Sequence, residues 1–542
     1  MVQAQQPILD EAYPARVLSL PVAPSDPARQ GRDLVQSLAV SRILAGAGSD
    51  VVQQVIEQKE LADSEPLLLA GAALAHSWLE IAESALARAG SEMAEAAEPE
   101  VTDVLSLAML NMAISKLRDE PDIGLAQASH VKELMAKLAA SERALAPELP
   151  SLIDYYVAGF ELLRGNVATA RWTLERGAGR YRQWRDADAT DAEQLVRAAC
   201  VGQLAWLDAF CGDLRRAMRY AGCLLTDRQA DTGEIGVKFA HLATAWTHIE
   251  HGETEQAQQR LDHALSMASD TVEPVLAAAE RLTEARLAIV TDEPETALRL
   301  LQAIVTIDVL PSGWFADQFA VATAEAWLAA GEPQQAIAAL GPEPEHPLAD
   351  ASLVLVRALR LSADLEAAEH VLARVPSDVV ELPLINQVKR SLLAAELAVE
   401  RGDRKRAELL VDHALRSAVR EQLRSTVGSA GSWLRAFVAR EPDLSDRYSA
   451  FVASVPQLVP PPEVSYPRGD AASLDALITA PLTKRETDVL IRLAEFCTNE
   501  EIADELVLSL NTVKTHMRSL FQKLSVTRRA DAVRRGRALG LC

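Results

Sequence analysis

The residues best placed to do chemistry lie near the end of the chain, in Ser509–Leu524, SLNTVKTHMRSLFQKL. The stretch holds Lys514, His516, Arg518 and Lys523 and no carboxylate, in a 542-residue protein of formal net charge −23. Plotted at 100° per residue from Asn511, the residues Lys514, Thr515, Arg518 and Gln522 fall at about 300°, 40°, 340° and 20°. Val513, Met517, Leu520 and Leu524 fall at about 200°, 240°, 180° and 220°. One face of the expected helix is therefore long, polar and basic, and the opposite face is aliphatic. A solvated surface helix ordinarily mixes in Glu or Asp for pairing one turn apart, and a carboxylate on this edge would repel phosphate. Amide, hydroxyl and cationic donors along one edge suit base edges in a major groove and the flanking backbone. The chemistry implied is binding of double-stranded DNA, with Asn511, Lys514, Thr515 and Arg518 as candidates for base contact. A merely basic surface helix is the alternative. His516, at about 140°, is read as packing or hydrogen bonding near the domain core.

Short helices must position that edge. Thr483 with Glu486 three residues later forms a capping box before apolar Val489, Leu490 and Leu493. Thr498 and Glu501 repeat the device before Ile502, Ala503 and Leu506, Ser509 caps the third helix, and Thr527 a fourth. Four short helices, the second and third joined by VLSL, predict a helix-turn-helix.

The charge is divided along the same line. Residues 481–542 carry 11 Lys/Arg against 8 Asp/Glu, a balance of +3, and residues 1–480 carry 43 against 69, a balance of −26. From Val507 onward, eight Lys/Arg face one acid, Asp531. A small basic unit on a large acidic body suits a polyanion-binding head whose body repels polyanions.

The body repeats itself. RGNVATA, CGDLRRA, HGETEQA, TDEPETA, AGEPQQA, SADLEAA and RGDRKRA align on a turn residue (Gly165, Gly212, Gly252, Asp292, Gly331, Ala363, Gly402). Five positions later stand Ala170, Ala217, Ala257, Ala297, Ala336, Ala368 and Ala407, and the turns are 47, 40, 40, 39, 32 and 39 residues apart. A weaker eighth copy places Asp119 and Gly124 in the same relation. A left-handed cap ends one helix, acids favour the start of the next, and the small residue lets the two helices approach. A period near 40 with two helices per unit predicts a tetratricopeptide-like helical solenoid. With 49% hydrophobic residues, 4% aromatics and few alternating β-branched runs, the expected fold class is all-α.

The expected domains are an N-terminal segment 1–35, poorly ordered; a helical-repeat sensor or interaction domain 36–455; a Pro-rich linker 456–475; and the helix-turn-helix domain 476–542. Val455–Asp470 holds five prolines in sixteen residues, which forbids helix and favours an extended spacer. No basic n-region precedes an apolar core at the N-terminus, and apolar windows such as PLLLAGAALAHSWLEIA fall short of a membrane span. Five scattered cysteines argue against a disulfide framework, so a cytoplasmic protein without membrane association is expected.

Candidates for chemistry in the body are weaker. His241, His248 and His251 share one side of a helix, with His263 on the next, but no carboxylate or cysteine joins them at ligand spacing. Hydrogen-bonded histidines are the reading, with no metal and no cofactor. Trp206 and Trp246 each stand six residues before a repeat Gly, which points to repeat packing. Trp184 and Trp314 are out of register and are the candidate ligand or partner contacts. No nucleophile–base constellation appears, so the expected mechanism is binding, not catalysis.

LTKRETDVLIRLAEFCTNEEIADELVLSLNTVKTHMRSLFQKLSVTRRADAV, from Leu482 to Val533, resembles the LuxR-type (NarL-like) DNA-binding domain over about a ninth of the chain. The resemblance implies that the third helix enters the major groove, with base contacts from Lys514, Thr515 and Arg518. It also implies backbone contacts around Thr498, Thr512, Lys523 and Arg529, and dimerisation through the fourth helix on two-fold-related half-sites. Phe496 and Ser525 stand where many members have Gly. Solenoid plus head resembles the MalT-like large regulators, whose N-terminal ATPase module has no counterpart here, since GxxxxGK[ST] is absent. The function expected is a transcription regulator whose solenoid responds to a small molecule or protein effector and whose head binds promoter DNA as a homodimer, in contact with the transcription machinery. The alternative is a protein-interaction scaffold with a secondary or vestigial head.

Overall fold

The computed structural model describes residues 65–76, 78–96, 99–140, 145–179, 190–226, 234–267, 273–303, 313–341, 349–376, 382–455, 482–494, 497, 499–524, 526, 529–538 and 541. The segments 1–35 and 456–475, the residue Trp184, and the capping residues Thr498 and Thr527 lie outside them. All regular structure among the described residues is helical. Pro66–Ala75 (α1) and Leu79–Glu95 (α2) precede eight helical hairpins. These are Val101–Leu117 with Pro121–Ala140 (α3, α4), Leu149–Leu163 with Val167–Ala178 (α5, α6), Asp191–Cys211 with Leu214–Leu225 (α7, α8) and Glu234–His251 with Thr254–Ser266 (α9, α10). Pro274–Val290 with Pro294–Ala303 (α11, α12), Trp314–Ala329 with Pro333–Leu340 (α13, α14), Ala349–Leu361 with Leu365–Arg374 (α15, α16) and Leu384–Glu400 with Arg404–Glu421 (α17, α18) complete the series. Arg424–Gly428 (α19), Ser432–Arg440 (α20) and Pro442–Ala453 (α21) close the solenoid.

Each hairpin turns where the repeat pattern predicts. All eight turn residues have positive φ, from 59° at Asp119 to 91° at Gly212, including the non-glycines Asp292 and Ala363 at 63°. After Cys211 the chain forms a Schellman cap: the Gly212 amide donates to the Ala209 carbonyl at 3.1 Å and the Asp213 amide to the Asp208 carbonyl at 2.9 Å. At two of the turns the acid that follows caps the next helix: Asp364 accepts from the Ala367 amide and Asp403 from the Arg406 amide, each at 3.1 Å. The alanines five residues on, from Ala170 to Ala407, are all fully buried. At Gly124 a Cβ would lie 2.2 Å from the Phe160 ring, so the partner ring occupies the place of a side chain.

The solenoid winds back upon itself. Gly313, which opens α13, leaves room for the Leu163 carbonyl of α5, 2.4 Å from where a Cβ would stand. Gly212, after α7, backs the start of α17 in the same way, with the Ile385 amide 3.0 Å from a would-be Cβ. At the centre Glu250 of α9 accepts from Arg286 of α11 at 3.0 Å and from the Thr426 amide and hydroxyl of α19 at 3.1 and 2.7 Å. Glu325 of α13 accepts from Arg286 at 3.3 Å and from Lys389 of α17 at 2.9 Å. Burial acts to raise the Glu325 carboxyl, but Lys389 and Arg286 outweigh it and hold it at about 2. This closure leaves a cavity of about 50 Å³ lined by Phe210, Trp246, Arg286, Asn386 and neighbours.

Candidate nucleic-acid interface

The head comprises Lys484–Ala494 (α22), Asn499–Leu506 (α23), Leu510–Lys523 (α24) and Arg529–Ala538 (α25). Its first capping box is reciprocal: the Thr483 amide donates to Glu486 at 2.6 Å and the Glu486 amide to the Thr483 hydroxyl at 3.3 Å. Val507, at φ 53°, makes the turn between α23 and α24. Ser509 caps α24, accepting from the Thr512 amide at 3.1 Å. Val513, Met517, Leu520 and Leu524 are buried together with Val489, Leu490, Leu493, Ile502, Ala503, Ala532 and Val533. Burying this aliphatic face fixes the opposite edge of α24 outward, and Asn511, Lys514, Thr515 and Arg518 are exposed. The Thr515 hydroxyl donates to the Asn511 carbonyl at 2.8 Å, one turn back.

Two of the candidate backbone contacts are engaged inside the protein. Lys523 Nζ lies 2.6 Å from Glu486, which also accepts from the Ser519 hydroxyl at 2.6 Å. Burial acts to raise the Glu486 carboxyl, but hydrogen bonds from Lys523, Ser519 and Thr483 bring it down to about 2. Lys523 therefore joins α24 to α22. Arg529 is almost wholly buried: its guanidinium donates to the Cys497 carbonyl at 2.5 Å and lies 3.0 Å from Glu295 of α12. Thr512 stays at the surface edge of α24, partly exposed.

The head rests on the turn of the fifth hairpin, α11–α12. The Arg529 amide, first in α25, donates to Asp292 at 2.8 Å. A helix N-terminus leaves such amides unpaired, and a carboxylate there also complements the helix dipole. The Asn499 side chain donates to Glu293 at 3.3 Å, and Arg299 lies 3.4 Å from Glu501 at the exposed rim. Beside these contacts lies a cleft of about 1030 Å³, with Lys514, Arg518 and Gln522 on one wall and Glu255, Glu284 and Glu293 on the other. The contacts of Asp292, Glu293 and Glu295 with the head were not foreseen from the sequence. The signal was an Asp in a repeat position that is usually Gly, followed by two further acids.

The family of bacterial regulatory proteins known as the luxR family (GerE) matches residues 480–535. The head is a LuxR-type helix-turn-helix domain. A chain carrying it is, in outline, a DNA-binding regulator. Among solved structures, the chain is similar to the apo form of RapI at 12% identity, over 72% of this chain and 95% of that one, with a TM-score of 0.31. It is likewise similar to a Rap protein complexed with competence and sporulation factor, at 11% identity over 74% and 96% of the two chains, with a TM-score of 0.35. In the LuxR-type head, α24 is the second helix of the helix-turn-helix pair, and its outward edge carries the residues expected to read bases.

Of the two candidate ligand contacts in the solenoid, Trp314 lies among the described residues. Trp314 is buried, in edge contact with Phe210 at 5.4 Å and Phe315 at 4.9 Å between ring centres, and it packs against the Gly165 turn. Its off-register position coincides with the return of α13 onto α5. Trp206 and Trp246 are buried repeat residues. His248 lies 2.6 Å from Glu253, His263 bonds the Gln259 carbonyl at 2.6 Å, and His241 stacks on His263. Among the described residues no group of three or more His, Cys, Asp or Glu could hold a metal ion, and no helix is long and apolar enough to cross a membrane.

Proposed function

We propose that this protein is a sequence-specific transcription regulator that works by binding and carries out no catalysis. The observation that carries the reading is the two-faced α24: an aliphatic face packed in the head and an acid-free edge of Asn511, Lys514, Thr515 and Arg518 turned outward. Bidentate donors from Arg or Lys suit guanine, and Asn suits adenine. Thr512 is placed to meet a phosphate at the groove margin. One small head makes few contacts, so useful affinity requires two copies on two-fold-related half-sites. The acidic solenoid responds to an effector and governs access to the head.

The test is selection of duplexes from a randomised library by the full chain. A recurrent, roughly palindromic sequence is expected, and it should be lost with Lys514→Ala or Arg518→Ala while the helical content is retained. Selection that enriches no sequence, or the same sequence from the variants, contradicts the assignment.

A further inference from the structure

Five of the eight hairpin turns use Gly at the left-handed position, whereas the fifth uses Asp292 at φ 63°, a conformation that favours Gly. What Asp292 gains there is a contact 237 residues away: it accepts the first amide of α25, where Gly could offer nothing. Glu293 and Glu295, next in the same turn and helix start, take Asn499 and Arg529 of the head. Three acids within four positions of one repeat are thus matched to three donors of one head. The same contact sets Lys514, Arg518 and Gln522 across a cleft from Glu255, Glu284 and Glu293.

We infer that the Asp292–Glu295 turn is an intramolecular docking surface for the head, and that docking and DNA binding exclude one another. The inference rests on the reading of the head as a DNA-binding unit. A groove-bound helix needs phosphate backbones on both sides of its reading edge, and here acidic side chains of the solenoid occupy one of those sides. Arg529, a backbone-contact candidate, is consumed by Glu295. The surface is also built to let go. Glu295 Oε2, Arg529 Nη1 and Asn499 Oδ1 are buried without a hydrogen-bond partner, so duplex phosphates compete against an incompletely paired contact.

The test compares the full chain with Asp292→Gly/Glu295→Ala, which places at 292 the Gly used by five sister turns and removes the Glu295 acceptor. Binding of a labelled mixed-sequence duplex at low salt and hydrogen exchange of the Arg529 amide without DNA are the readouts. The double variant should bind about tenfold more tightly, consistent with loss of one charged hydrogen-bonded contact, and its Arg529 amide should exchange faster. Asp119→Gly, the same change at a turn far along the chain, should alter neither readout. Unchanged exchange in the double variant overturns the docking surface. Faster exchange with unchanged affinity overturns the exclusion. Faster exchange with no duplex bound by any chain retains the docking surface and sinks the DNA-binding reading on which the exclusion rests.

Discussion

Among the charged contacts that bring distant parts of this chain together, one joint closes the solenoid and another seats the head. In the first, both oxygens of Glu250 and both of Glu325 are paired, with Arg286 and Lys389 between them and Thr426 completing the set. In the second, Glu295 and Arg529 meet through one oxygen and one nitrogen, and each keeps a buried polar atom unpaired. A buried charge is tolerable only when paired and hydrogen-bonded. The closing joint satisfies that condition fully and behaves as part of the core, whereas the seating joint satisfies it in part and is suited to separate.

The largest effect should come from breaking the closing joint. Arg286→Ala leaves Glu250 and Glu325 without their shared cation and should destabilise the chain by about 3–5 kcal/mol, read by urea unfolding. Glu295→Gln should cost global stability less than about 1 kcal/mol, because the head can leave instead of the fold failing. Equal losses from the two would erase the distinction between the joints.

On the reading edge, Lys514→Ala or Arg518→Ala should each weaken specific binding by about 1–3 kcal/mol, with unchanged melting of the head. Lys523→Ala should instead lower head stability along with affinity, because its partner is Glu486. Melting of the head that is unaffected by Lys523→Ala would return that lysine to a purely phosphate-binding role.

Two smaller effects follow from pH. Glu486 is held at about 2 against an ordinary 4.5, so its contribution is present above pH 4.5 and fades as pH falls toward 2. Glu486→Gln should therefore flatten the acid unfolding of the head in that window. Glu295 is pushed up to about 7 by burial, against the pull of Arg529 and with Glu501 adding a little. The docked state then holds its proton more tightly than the released state, so docking should weaken as pH rises from about 4.5 through 7. Exchange of the Arg529 amide across that range checks the sign, and Glu295→Gln should remove the dependence.

How much of this was legible in the sequence depended on range. The hairpin turns and small alanines were readable because left-handed caps and helix approach are local demands that each repeat restates. The exposed polar edge of α24 was legible because a helix places its faces by arithmetic. The packing of Trp314 was not legible, since its off-register position coincides with the return of α13 onto α5, which no local pattern records. The resemblance pointed to Lys523 and Arg529 as backbone contacts, yet both are occupied by acids whose partnership needs packing across helices or domains. Asp292 carried a visible irregularity, but its meaning required a partner 237 residues away.

The most direct measurement follows hydrogen exchange in the wild-type chain with and without the duplex enriched by selection. The account predicts that, without DNA, the Arg529 amide is protected by Asp292 and the α24 edge overlooks the solenoid. On adding duplex, the Arg529 amide should lose its protection while α24 gains it. Protection of both at once, in a complex that contains the duplex, would contradict the account.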